Sequence, residues 1–349
     1  MDRVLGGCTS TLSAVLHHPG IPLNLKNIVW QFFILTGIGF FLMYSSAMKT
    51  ANLSAMTPLL AVKLVMVAAL WGGTFIAGKT LAQALPLMTA AFGRFFIASI
   101  LLVIVAVKME GKLPRLNRDQ ILLTAVLGFT GIFLYNICFF GALARIPAGR
   151  TSLFVSLTPI VTAILAGLIF SERLGMRRWV GIVIALLGAI VVITRGDLVG
   201  GITDISQSLG LGELMMLGAV FSWASYTLIS RKVLETLSPI IATTYGTLWG
   251  FIFLSIGAIG EFKTIDWILL DWRVWTSVFY LGAFGTVLAF IWYYQGIQTV
   301  GPSRTAIFTN LVPAFGVLFS AILLGEPILI SMIVGGVIAV LGVSLVNKK

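Results

Sequence analysis

The chain has 349 residues, of which 58% are hydrophobic and only 10% charged, with a mean hydropathy of +1.05. That balance excludes a water-soluble globular domain and places most of the chain in lipid. The net charge of +11 would suit nucleic acid, but the basic residues are scattered between apolar runs rather than gathered on one patch, so they read as topology signals and no nucleic-acid partner is expected.

In chain order, residues 1–61 form an N-terminal extension whose apolar segment, 28–47, has three readings. It is an extra spanning helix, a signal-like segment followed by small residues, or the product of an upstream start, with Met56 as the alternative start. Runs long enough to cross roughly 30 Å of hydrocarbon, at about 20 residues each, follow near 62–83, 87–107, 120–142, 149–170 and 178–194. The stretch 196–210, rich in Gly, Asp and Ser, reads as a linker. Five more runs lie near 211–231, 238–260, 274–297, 302–324 and 328–346. All are predicted as helices, because lipid requires backbone polar groups to be satisfied within a segment.

Residues 150–192 slide onto 304–346 without a gap and give 14 identities in 43 positions, among them Arg150/Arg304, Pro159/Pro313, Glu172/Glu326, Gly181/Gly335, Ala185/Ala339 and Gly188/Gly342. A looser match at an offset of 152 pairs Trp71 and Lys79 with Trp223 and Arg231. The predicted fold is therefore an all-α membrane protein of ten transmembrane helices in two five-helix repeats, 62–195 and 211–347, preceded by the extension. Five is odd, so the second repeat enters the membrane where the first one ends, and the repeats are inverted. Lys63, Lys108, Lys112, Arg115, Arg118, Arg177, Arg178, Arg231 and Lys232 fall on the richer basic side, with Lys348 and Lys349. By the positive-inside rule that side and the C-terminus are cytoplasmic, in an integral, multi-pass protein of the plasma (inner) membrane.

The segment WGGTFIAGK at 71–79, and RTSLFVSLTP…SER from Arg150 echoed by RTAIFTNLVP…GEP from Arg304, resemble the EamA family of the drug/metabolite transporter superfamily. The resemblance covers roughly residues 57–347. It implies secondary transport, often export, of amino acids or similar small metabolites through a cavity between the halves, without a cofactor.

The residues themselves point the same way. Pro159 and Pro313 interrupt the fourth and ninth spans at matching positions, where each removes a helix hydrogen bond and frees a carbonyl; Thr158 and Asn310 lie just before them. Trp71, Tyr135, Asn136, Trp223 and Tyr226 are polar or amphipathic residues inside spans, suited to hold an apolar body and orient its polar groups; plain packing is the bland alternative. Trp71 and Trp223 are expected to face each other across the pseudo-two-fold axis. Lys79 and Arg94 are expected to snorkel to the outer surface, the alternative being that either faces the cavity and meets a carboxylate on the substrate, and Arg150, Arg304, Glu172 and Glu326 to anchor helix ends. Small residues on the fifth and tenth spans predict close helix packing, within a scaffold or in a homodimer. No carboxylate falls mid-span, so a buried acid relay is not visible. A lipid-modifying enzyme is the alternative function, but the histidines, His17 and His18, both lie in the extension, and no nucleophile or metal pattern accompanies them. A channel would favour a ring of like polar residues, which an internal duplication makes less necessary.

Overall fold

The computed structural model describes residues 57–170, 175–197 and 209–347, all within one compact unit. The apolar segment 28–47, most of the expected linker and Glu172 lie outside the described residues. Among the described residues there is no strand. The helices are α1 (Pro58–Ala84), α2 (Leu87–Glu110), α3 (Arg118–Arg145), α4 (Ala148–Ile169), α5 (Met176–Ile193), α6 (Leu211–Val233), α7 (Pro239–Glu261), α8 (Trp272–Val300), α9 (Pro302–Thr309), α10 (Val312–Leu324) and α11 (Ile330–Asn347).

Seven of these, α1 to α5, α7 and α8, are long and apolar enough to cross a membrane. The shortfall from ten has two physical causes. Helix α6 is long enough at 23 residues but carries Glu213, Arg231 and Lys232 among several hydroxyl side chains, and it buries much of that polarity, including Glu213 and Ser222. The ninth predicted span is split at Asn310 and Leu311, so α10 is a shorter apolar helix, while α11 has the same length as α5, 18 residues, and is apolar. Local signals set the helix ends. Thr57 caps α1 ahead of Pro58, Asn117 and Gln120 form a reciprocal capping box on α3, and Gly111 and Gly325 close α2 and α10 at positive φ.

The small residues of the fifth and last helices meet each other inside the chain. A Cβ added at Gly181 would stand 2.7 Å from the Gly342 carbonyl oxygen, and one at Gly188 would stand 2.6 Å from that of Gly335. These contacts are reciprocal: 181 + 154 = 335 and 188 + 154 = 342, so each glycine of one repeat meets the counterpart of the other. Their order also makes α5 and α11 antiparallel, with backbones packed directly on one another.

Both prolines coincide with irregular backbone. The helix tightens to a 3₁₀ turn at Val155–Leu157 just before Pro159, and it breaks at Asn310 and Leu311 just before Pro313. A second matched irregularity is not predicted from the sequence. Helix α3 widens to a π-helix over Gly128–Leu134 and α8 does so over Tyr280–Leu288, the two segments overlapping when shifted by the repeat offset.

Candidate functional site

Each π segment is packed by the first helix of the opposite repeat. On one side the Trp71 indole of α1 donates to the Gly285 carbonyl at 3.1 Å, and the Tyr280 hydroxyl donates back to the Leu70 carbonyl at 2.9 Å. On the other, the Ser222 hydroxyl of α6 donates to the Thr130 carbonyl at 2.7 Å. Widening a helix to i→i+5 spacing leaves carbonyls poorly satisfied, and within a membrane only a neighbouring donor can meet that need. Glycines allow the approach. A Cβ at Gly131 would fall 2.2 Å from the Tyr226 ring, and one at Gly285 would fall 2.7 Å from the Thr74 methyl.

The structure brings Tyr135, Trp223 and Tyr226 together. Tyr135 and Trp223 have ring centroids 5.3 Å apart, and Trp223 stacks on Tyr226 at 5.0 Å. Tyr135 also stacks on Phe139, which meets Phe75 of α1 edge-on. Trp71 belongs to a second group with Tyr293 at 5.2 Å and Phe290 at 5.9 Å on α8. Trp71 and Trp223 therefore have different ring partners, and each stands against the π-bearing helix of the other repeat. Tyr294, which stacks on Phe290, shares a hydrogen bond with Thr243 of α7. Thr158 and Asn310 lie in the two proline-associated irregularities and make no ring or hydrogen-bond contact with these groups through their side chains.

Asn136 is buried at 1% exposure on α3, next to the end of its π segment, and its amide donates to the Ile132 carbonyl at 2.7 Å. Its carbonyl oxygen accepts from Arg94 Nη1 at 3.2 Å, while Arg94 Nε donates to Thr286 Oγ1 at 3.3 Å. Thr286 lies inside the other π segment and donates to the Leu281 carbonyl five residues back. Arg94 thus turns inward, against the expectation that it snorkels. The lipid-facing stripe of α2 runs through the exposed Phe96, Ile100, Ile104 and Val107, whereas Ala98 and Leu102, which continue from Arg94, are buried. Helix phase decides its direction.

At the end of the bundle where α1 finishes, the remaining charges are engaged in tying helices together. Lys79 donates to the carbonyls of Leu143 and Ile146 at the C-terminus of α3. Arg150 and Glu213 form a buried ion pair at 2.8 Å, and Arg150 also reaches the Ile193 carbonyl at the end of α5. Glu326 accepts from the amides of Ala148 and Gly149, and Glu261 from those of Met88 and Thr89, so two carboxylates cap the N-termini of α4 and α2. Each of these acids lies in the second repeat and its partner in the first. Among the described residues no three His, Cys, Asp or Glu side chains gather as a metal site.

Sequence reasoning held an interior Arg94 only as the alternative to snorkelling, and it missed Thr286 as an interior group and the π segments that position these residues. A signal was present: Gly128 and Gly131 recur as Gly282 and Gly285 at the same offset of 154 that relates the later helices.

Comparison with known proteins gives a consistent assignment. The profile of the EamA-like transporter family matches residues 59–194 and again 210–348. The uncharacterized transporter YyaM of Bacillus subtilis is 30% identical over 273 residues, covering 78% of this chain and 88% of its own length. The uncharacterized transporter YetK of the same organism is 27% identical, covering 82% of this chain and 87% of its own length. A solved structure at 18% identity superposes with a TM-score of 0.58 over 83% of this chain and 96% of its own, which supports the fold alone. The chain belongs to the EamA-like transporter family.

Proposed function

We propose that the protein is a secondary transporter that moves a small metabolite, with amino acids the first candidates, by rocking its two repeats about a central site. In this reading α9 and α10 act as one broken span and α6 as a span whose polar face turns inward. The described helices then make ten crossings in two inverted units. The single observation that carries the reading is the pair of matched π segments, each packed by the first helix of the opposite repeat. Irregular backbone at corresponding positions of two repeats is where such carriers place substrate, and π-bulges collect at functional sites. The basic residues Lys108, Lys112, Arg115 and Arg118 between α2 and α3 put that end in the cytoplasm, with the C-terminus of α11 on the same side of the plasma membrane. Export is the direction that the family resemblance favours.

Purified full-length protein in proteoliposomes tests the proposal with a panel of radiolabelled amino acids and related small metabolites. Saturable flux above protein-free vesicles is expected, and no flux across the whole panel would sink it.

A further inference from the structure

We propose that Arg94 is the anion-binding residue of the substrate site and selects solutes that carry a single carboxylate. The proposal deepens the transport reading and rests on it. Arg94 lies seven residues into α2, about 10 Å from that helix end at 1.5 Å per residue. Its guanidinium lies over the Phe95 ring at 5.0 Å and hydrogen-bonds only neutral groups, Asn136 Oδ1 and Thr286 Oγ1, which use two of five N–H donors. Each partner is fixed by a second hydrogen bond to a carbonyl in or beside a π segment, Asn136 to Ile132 and Thr286 to Leu281. The fork is therefore held in place from two different repeats while its remaining donors have no protein acceptor.

Among the described residues, the interior acids are engaged elsewhere. Glu213 pairs with Arg150, Glu261 caps α2, and Glu326 caps α4. A guanidinium held away from water without a counter-ion is costly, and a bidentate carboxylate is the ligand its geometry matches. Tyr135 is the chain neighbour of Asn136, which Arg94 contacts, and continues into the Trp223 and Tyr226 stack, so an aromatic surface for the body of the solute adjoins its anionic anchor.

The repeat also limits the charge. A Cβ at Gly282 would meet the Arg94 carbonyl oxygen, and a Cβ at Gly128, its counterpart at 128 + 154 = 282, would meet that of Gly246. Gly246 thus occupies the place of Arg94 in the second repeat, and no second cation is supplied there. Lys79 is held by Leu143 and Ile146, and Arg150 by Glu213. One available interior cation among the described side chains suits a monocarboxylate better than a dicarboxylate or a phosphate ester.

The test measures binding and flux separately on the full chain, using L-phenylalanine, L-threonine and 3-phenylpropionate, each beside its carboxamide. In detergent, wild-type protein is expected to be thermally stabilised by one or more acids and not by the matching amide. Arg94→Gln is expected to weaken acid binding by about tenfold or more, with Arg94→Lys intermediate because it keeps the charge without the fork. Equal stabilisation by acid and amide in wild-type protein would overturn the proposal even if Arg94→Gln fails to fold. So would full acid binding by Arg94→Gln, or no response to any pair. Flux without acid preference would overturn the Arg94 assignment and leave the transport reading standing. Acid-selective binding without flux would support the site and count against transport.

Discussion

Trp223 is held between Tyr135 of α3 and Tyr226 of its own helix, and none of the three rings is fully buried. Partly accessible rings in mid-span can give a solute a flat apolar face, and their hydroxyl and indole groups stay available for polar contacts. Replacing Trp223 by alanine is expected to lower transport efficiency by about tenfold, with membrane expression retained, since each lost aromatic contact is worth roughly 0.5–1.5 kcal/mol beyond its area. Unchanged kinetics in both Trp223→Ala and Tyr226→Ala would remove the stack from the site. At this scale the sequence discloses residue types better than directions. Tyr135, Asn136, Trp223 and Tyr226 stand out because they are polar or amphipathic in apolar runs. The inward turn of Arg94 does not, because proximity to a helix end also permits snorkelling, and only the packing of α2 against α3 and α8 decides between the two.

The π segments show why an element can be hidden in a readable sequence. In an amphipathic helix one extra residue per turn shifts the apolar stripe visibly, but α3 and α8 are apolar on nearly every face and have little phase to shift. The prolines were legible because they act through a missing N–H, which needs no tertiary context. The small residues of α5 and α11 were legible as packing positions, but their partner was not, since glycine spacing does not tell an intrachain contact from a dimer interface. The structure assigns them to each other. Gly188→Ala would place a methyl 2.5 Å from the Ala339 backbone nitrogen, where relief requires the two helices to separate. We expect a loss of about 1–3 kcal/mol, seen as a lower midpoint of thermal unfolding in detergent. An unchanged midpoint would show that this crossing is looser than described. Gly131→Ala is expected to act differently. Its methyl would meet the base of the Tyr226 ring, which can move only by leaving its stack on Trp223, so transport should fall together with stability.

At the scale of the molecule, the two ends of the bundle are held by different forces. The end assigned to the outside carries the buried Arg150 and Glu213 pair and the carboxylate caps on α2 and α4, all crossing from one repeat to the other. The opposite end is joined by the exposed contacts Lys63 to Gln295 and Ser238 to Glu110 and by the part-buried Tyr245 hydroxyl, which donates to the Pro114 carbonyl. A buried ion pair that loses one partner leaves an uncompensated charge, at a cost of about 3–5 kcal/mol, whereas exposed contacts contribute little. In the proposed orientation, the buried charges of the described state thus lie on the outside. Glu213→Gln is expected to shift the population toward outward opening. Ser320, buried beside Gly149 at that end, reports it. Ser320→Cys, placed in a Cys8→Ser and Cys138→Ser background, should react faster with an impermeant maleimide added outside when Glu213→Gln is present. Equal rates would show that the pair does not hold the outer end closed.

Alternating access, which makes the site face one side at a time, is the core of the account, and counterflow tests it most directly. Proteoliposomes loaded with unlabelled substrate and diluted into a trace of the labelled compound should accumulate label above equilibrium and then lose it. Label that only rises smoothly to equilibrium, or never enters, would contradict the account.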